Sequence, residues 1–333
     1  MVHLIKYIIK RLIVTIPVML GVLIIVFTIS YLTPGDPVTT ILGSAWTPEK
    51  YAEKSKELGL DKGYLGQLGS YIWNLVTKFS MGKSYATNIP VMQELASRIP
   101  VTFKIAFLCV CMMVLIGIPL GILSATRQYS ALDMSLTSLA LILAAVPAFV
   151  LALLCLILFG VKLKWFPISG VSTWKSWVLP VATDALGGVA VVMRMTRTTM
   201  LEVVRQDYIR TARSKGLKEN AIIRRHALKN CMIPVVTVVG SWLAVLMCGA
   251  LIIETIFSIP GVGMYLMGGI SARDYPIING AVVFISFIMC AMNLIVDILY
   301  ALIDPRIKTQ YISNKRTPVT KKLIAESAEV AES

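Results

Sequence analysis

The chain has 333 residues, 56% of them apolar and only 15% charged. Soluble domains carry about a quarter of their residues as charge, so an ordinary soluble fold is excluded. The formal net charge of +14 invites a nucleic-acid reading, but the basic residues cluster between apolar runs. No nucleic-acid partner is expected.

Six apolar runs follow in chain order: Ile8 to Leu32, Val101 to Ala125, Met134 to Gly160, Trp177 to Arg197, Met232 to Ile256 and Ile277 to Leu302. A helix needs about 20 mostly apolar residues to cross the hydrocarbon core. The runs are continuous and lack the alternation of barrel strands, so they predict an all-α polytopic membrane protein with six transmembrane helices. The first run is too long for a signal-peptide core and continues as LTPGDP, so it is expected to be retained as a span.

With both termini placed in the cytoplasm, the short loops and ends carry 20 Lys and Arg inside against 4 outside. That asymmetry predicts an N-in, C-in topology. The bilayer is the first partner.

After the first run, LTPGDP at Leu32 to Pro37 breaks the helix. The segment 33–100 is expected to form a small helical cap on the outer surface. Thr47 and Pro48 open one helix that ends near Gly59, and a second runs around Leu65 to Lys78. Tyr71, Trp73 and Phe79 suit the headgroup level. Gly82-Lys83-Ser84 resembles the end of a phosphate loop, but Thr77 stands where such a loop needs glycine. Nucleotide binding is not expected there.

The spans hold few ionisable groups. They are Asp184, Glu254 and Asp297, with Arg194 near the cytoplasmic end of the fourth span. Because intramembrane charge is costly, Asp184, Glu254 and Asp297 are the candidates for pathway or gating roles. The competing reading for Glu254 and Asp297 is a span end or a pair inside the bundle. Asp184 precedes Gly187-Gly188, a pair that permits close helix approach or a kink. No internal repeat and no pair of discontinuous half-helices is read, which weighs against an ion-coupled carrier. That class, a self-sufficient secondary transporter or channel, is the alternative from outside the main reading.

The six cysteines, Cys109, Cys111, Cys155, Cys231, Cys248 and Cys290, all fall in or at the ends of apolar runs without ligand spacing. His3 and His226 are the only histidines, so no metal site and no catalytic residue is expected. The chain is not read as an enzyme and no cofactor is expected on it.

The largest cytoplasmic loop reads DYIRTARSKGLKENAIIRRHALKN, Asp207 to Asn230. Residues before Gly216 suit a short helix, as do those after Leu217. Gly216 would end the first in a left-handed conformation, and Asn220 would cap the second weakly. The prediction is a helix-turn-helix elbow along the membrane face, placed where pushing it moves two spans. The ten Lys and Arg residues between Arg194 and Lys229 would also serve topology and anionic lipids alone.

This stretch resembles the cytoplasmic EAA loop of ABC-transporter permeases, in the variant of dipeptide and oligopeptide importers. The matching residues are Thr211-Ala212-Arg213-Ser214-Lys215-Gly216, then Arg225-His226-Ala227-Leu228-Lys229-Asn230 and Pro234. Arg210 stands where the general pattern has glutamate, in agreement with the peptide-importer variant. PGDP at Pro34 to Pro37, ELGLDK at Glu57 to Lys62, Met193 to Val203, Glu254 to Gly263, RDYP at Arg273 to Pro276 and DPRI at Asp304 to Ile307 extend the resemblance over residues 1–310.

The chain is thus similar to B-type permeases of the dipeptide/oligopeptide/nickel group. The resemblance implies a type I ABC importer permease fold in a bacterial inner membrane. It also implies a homologous C-type permease, two ATPase subunits that bring ATP and Mg, and an extracytoplasmic substrate-binding protein. The coupling residues it implies are Tyr208, Thr211, Ala212, Arg213, Lys215, Gly216, Leu217, Arg225, His226, Ala227 and Asn230. The resemblance implies cargo among dipeptides, longer peptides, glutathione, nickel chelates and some sugars, with di- and oligopeptides expected here and nickel, a metallophore or glutathione as the alternative. The expected division is 1–32 for the first helix, 33–100 for the outer cap and 101–310 for the core. The coupling loop is 207–230, and the tail 311–333 is expected to be disordered.

Overall fold

The computed structural model describes residues 2–43, 47–248 and 250–303. The DPRI run and the 311–333 tail lie outside them. Fifteen α-helices are described, and the one β-type pairing among the described residues is the bridge Lys83 to Pro90.

α1, Val2–Leu32, is the first span. The cap follows as α2, Pro37–Leu42, α3, Pro48–Glu57, and α4, Tyr64–Lys78. Asp36 caps α2 by accepting from Val38 N at 2.9 Å, and Thr47 caps α3 by accepting from Lys50 N at 3.3 Å. The cap rests on α1, with the Tyr64 ring 6.0 Å from Phe27 and 5.3 Å from Tyr31. Ser84 and the Ala86 amide donate to Asp274 at 2.7 and 3.2 Å. The phosphate-loop lookalike is therefore a turn fastened to the outer end of the bundle.

α5, Val91–Met112, continues through a widened π turn at Met113–Gly117 into α6, Ile118–Thr126. The widening precedes Pro119, which has no N–H to offer the turn before it. The second span therefore starts earlier than its apolar run. α7, Ala131–Ala145, and α8, Ala148–Cys155, extend to Lys162 but bend by 97° at their junction. The expected single span Met134 to Gly160 is thus corrected to a broken one. Its cause is Pro147, which forces Val146 to the extended ψ of 124°.

α9, Val178–Val204, is preceded by a 3₁₀ turn at Trp174–Trp177. α10, Asp207–Ser214, and α11, Glu219–Ala221, flank the elbow turn. α11 runs on through a π turn into α12, Leu228–Met247. α13, Leu251–Ile256, α14, Val262–Ala272, and α15, Tyr275–Ile303, complete the fold. The expected span Met232 to Ile256 is corrected too: α12 stops at Met247 and α13 is a separate short helix. Among the described residues, long apolar helices thus number five, or six with the bent pair counted as one. The expectation of no discontinuous helices does not hold, because the apolar composition runs unbroken across both breaks.

α1 and α15 are antiparallel. Ser30 donates to Asn279 at 2.8 Å at one end, and Arg11 pairs with Asp297 at 2.9 Å at the other. The start of α1 and the end of α15 share one end of the bundle, as an N-in, C-in chain requires. α5–α6 and α9 run parallel, in steps of four: Cys109 beside Asp184, Met113 beside Gly188, Gly117 beside Val192, Gly121 beside Thr196. A Cβ on Gly121 would stand 2.6 Å from the Met193 carbonyl, so the Gly117/Gly121 spacing lets the helices touch backbone to backbone.

Candidate coupling site and embedded charges

The elbow begins where α9 ends. Asp207 occupies the first turn of α10, favourable for the helix dipole. Gly216 has φ 78°. Its N–H reaches the Arg213 carbonyl at 2.9 Å, and the Leu217 N–H reaches Ala212 at 3.4 Å. These two bonds form a Schellman ending, which requires the left-handed residue between them. Arg213 then forks across the turn to Glu219, at 2.7 and 3.2 Å. That carboxylate raises the guanidinium pKa further above its usual value.

Two details of the elbow differ from expectation. Lys218, not Asn220, occupies the cap position, and no side chain caps the helix there. The second limb is not a separate surface helix, because it runs without interruption from Glu219 to Met247. The reason is that Ile222 and Ala227 are fully buried and draw the limb into the bundle.

The elbow has an inner and an outer face. Ile209, Ala212, Ile222 and Ala227 join the main core with Met200 and Cys231. Cys231 Sγ lies 3.0 Å from Thr199 Oγ1 and 3.6 Å from the Thr196 carbonyl. The Asn230 amide donates to Tyr208 Oη at 2.7 Å and closes the base. Of the candidate coupling residues, Tyr208, Thr211, Arg213, Lys215, Gly216, Leu217, Arg225 and Asn230 are exposed, while His226 is half-buried. Ala212 and Ala227 are buried and shape the inner face. Leu217, 43% exposed beside Lys215 and Lys218, stands at the tip.

The three embedded acids do not form one cluster. Asp297 pairs with Arg11 of α1. Glu254 is wholly enclosed, accepting from Thr102 Oγ1 at 2.7 Å and Met264 N at 3.0 Å. Thr102 Oγ1 in turn accepts from Val262 N at 3.0 Å. A Cβ on Gly261 would collide with the Glu254 carboxylate. These bonds knot α5, α13 and α14 together. Asp184 is half-buried, with the Cys109 thiol at 3.9 Å as its one described side-chain contact.

One functional group escaped the sequence reading. Asp133, 2% exposed, accepts a bidentate fork from Arg197 at 2.7 and 2.8 Å, together with Tyr129 N at 3.0 Å and the Ser124 hydroxyl. It locks the α6–α7 turn to α9 just above the elbow. The only local signal was Ser130 three residues earlier, whose hydroxyl caps α7 by accepting from Asp133 N.

The family model "Binding-protein-dependent transport system inner membrane component" matches residues 117–309, and the model for the N-terminal part of such components matches residues 4–106. A putative peptide transport system permease protein of Brucella suis biovar 1 is 42% identical over 308 residues, covering 90% of this chain and 98% of that protein. The dipeptide transport system permease protein DppB of Escherichia coli K12 is 34% identical over 335 residues, covering 91% and 98%. Among solved structures, an inward-facing form of the MetNI methionine ABC transporter matches with a TM-score of 0.56 at 17% identity, covering 64% of this chain and 97% of that one.

The chain belongs to the family of binding-protein-dependent transport system inner membrane components. It is a multi-pass protein of the cytoplasmic membrane with the type I ABC importer permease fold, and a transport component rather than an enzyme.

Proposed function

We propose that this chain is one of two homologous permeases of an ATP-driven importer of di- and oligopeptides. ATPase subunits dock on the 207–230 elbow, and ATP and Mg are handled by them. The observation that carries the reading is the elbow's construction: an exposed tip at Lys215 to Leu217, fixed by the Schellman turn, on a limb continuous with α12. Force on such a tip is delivered to a span without slack, the requirement of a two-state switch biased by nucleotide. A loaded binding protein would meet the outer cap and the loop around Pro260 to Pro276. Peptide cargo is supported by the names of the Brucella and Escherichia coli relatives.

The test is co-purification with the partner permease and ATPases, comparing wild type with Gly216→Pro. Proline fixes φ near −65° and removes the N–H that bonds Arg213. The expected result is a membrane-inserted chain that no longer holds its ATPases or supports uptake. Wild-type uptake by the variant would contradict the elbow's role.

A further inference from the structure

α9 is the central helix of the bundle, packed by α5, α6, α7, α8 and α12. One stripe of it stays uncovered: Asp184, Gly187, Val191, Arg194 and Thr198 are half-buried or exposed, while Gly188, Val189, Ala190, Val192, Met193 and Thr196 are buried. The steps of three and four residues keep the stripe on one face. Gly187 opens onto space, since a Cβ built there meets nothing within 4 Å. Arg194 makes no ion pair or side-chain hydrogen bond among the described residues, and Asp184 has only the weak Cys109 contact.

Three surroundings suit an open helix face: lipid, a dry subunit seam, or water. Lipid is disfavoured because Asp184 lies ten residues from Arg194, about 15 Å along the axis, deep in the span and too short to snorkel. A dry seam would leave both charges desolvated without partners. Water in a translocation pathway solvates both.

Resting on the permease reading above, we propose that this stripe is the chain's share of the pathway wall, with Asp184 as its cation-facing and Arg194 as its anion-facing position, suited to a zwitterionic substrate with free amino and carboxyl ends. An extended peptide advances about 3.3 Å per residue. A di- or tripeptide therefore cannot span the two charges and meets Asp184 first, then Arg194, on its way inward.

The experiment uses the complete transporter in proteoliposomes, and ATP-driven peptide uptake by the wild type first establishes the permease reading itself. Val191→Cys, Thr198→Cys and the exposed α8 control Leu154→Cys are then treated with a membrane-impermeant methanethiosulfonate, with and without trapped nucleotide. In at least one nucleotide state both stripe cysteines should label about 10-fold faster than the control, as water-exposed thiols do. Arg194→Gln should lower the uptake rate about 10-fold with ATPases still bound, and Arg194→Lys should restore most of it. Stripe cysteines unreactive in every state would reveal a seam or a lipid face and overturn the proposal. So would wild-type uptake by both Arg194→Gln and Asp184→Asn. If Arg194→Gln does not assemble, the labelling decides alone.

Discussion

Asp133 and Arg197 are 64 residues apart in sequence and share a two-pronged bond. Removing one partner of such an enclosed pair strands the other, at a cost of about 3 kcal/mol, whereas replacing both with apolar groups is far cheaper. Asp133→Asn and Arg197→Met should each lower the unfolding temperature of the solubilised chain more than the double variant Asp133→Leu/Arg197→Met. Equal unfolding temperatures for both single variants and the wild type would show that the pair does not brace the bundle. In a single sequence Asp133 sits at the edge of a short polar loop and reads as a solvated acid. The partner that buries it is invisible without a fold. Gly216, by contrast, was legible, because a lone glycine between two helical stretches points to a left-handed ending, and it takes φ 78°.

Helices were legible as apolar length, and their breaks were not. The junction at Pro147 turns the chain by 97° within an unbroken apolar run, so hydropathy alone reads through it. The residue-before-proline restriction was the available signal. Hydropathy likewise reads through the stop after Met247, where no proline stands. Contacts between helices leave a clearer trace where glycines recur every four residues, as at Gly117 and Gly121. A side chain at Gly121 must enter the space of Met193 and Thr196. Gly121→Val should therefore destabilise the chain by about 1–3 kcal/mol through overpacking. Gly21→Val on α1, where nothing lies within 4 Å, should change stability little. Thermal unfolding of the two variants in the same detergent makes the comparison, and equal values would remove the seam from the account.

At the scale of the molecule, the second limb of the elbow meets one turn of α9. Cys231 of α12 touches Thr196 and Thr199, and Arg197 between them holds the α6–α7 turn. A push at the tip is thus shared among α6, α7, α9 and α12. Charge asymmetry set the orientation from sequence, and the α1–α15 pairing brings the two ends together as that orientation needs. The acids were less legible. Of Asp184, Glu254 and Asp297, all candidates for the pathway, Glu254 is enclosed in a knot of hydrogen bonds and Asp297 is paired. Only Asp184 is left with neither an ion pair nor a strong hydrogen bond among the described residues, because burial and partners decide what an embedded charge does and composition carries neither.

Site-specific photo-cross-linking in the assembled transporter tests the elbow's role most directly, with the probe at Leu217 on the elbow tip and, as a control, at Tyr129 on the neighbouring α6–α7 turn. The Leu217 probe should capture an ATPase subunit in a nucleotide-sensitive manner, with the Tyr129 probe far weaker. Peptide-transporting complexes in which the Leu217 probe captures no ATPase in any nucleotide state would contradict that role.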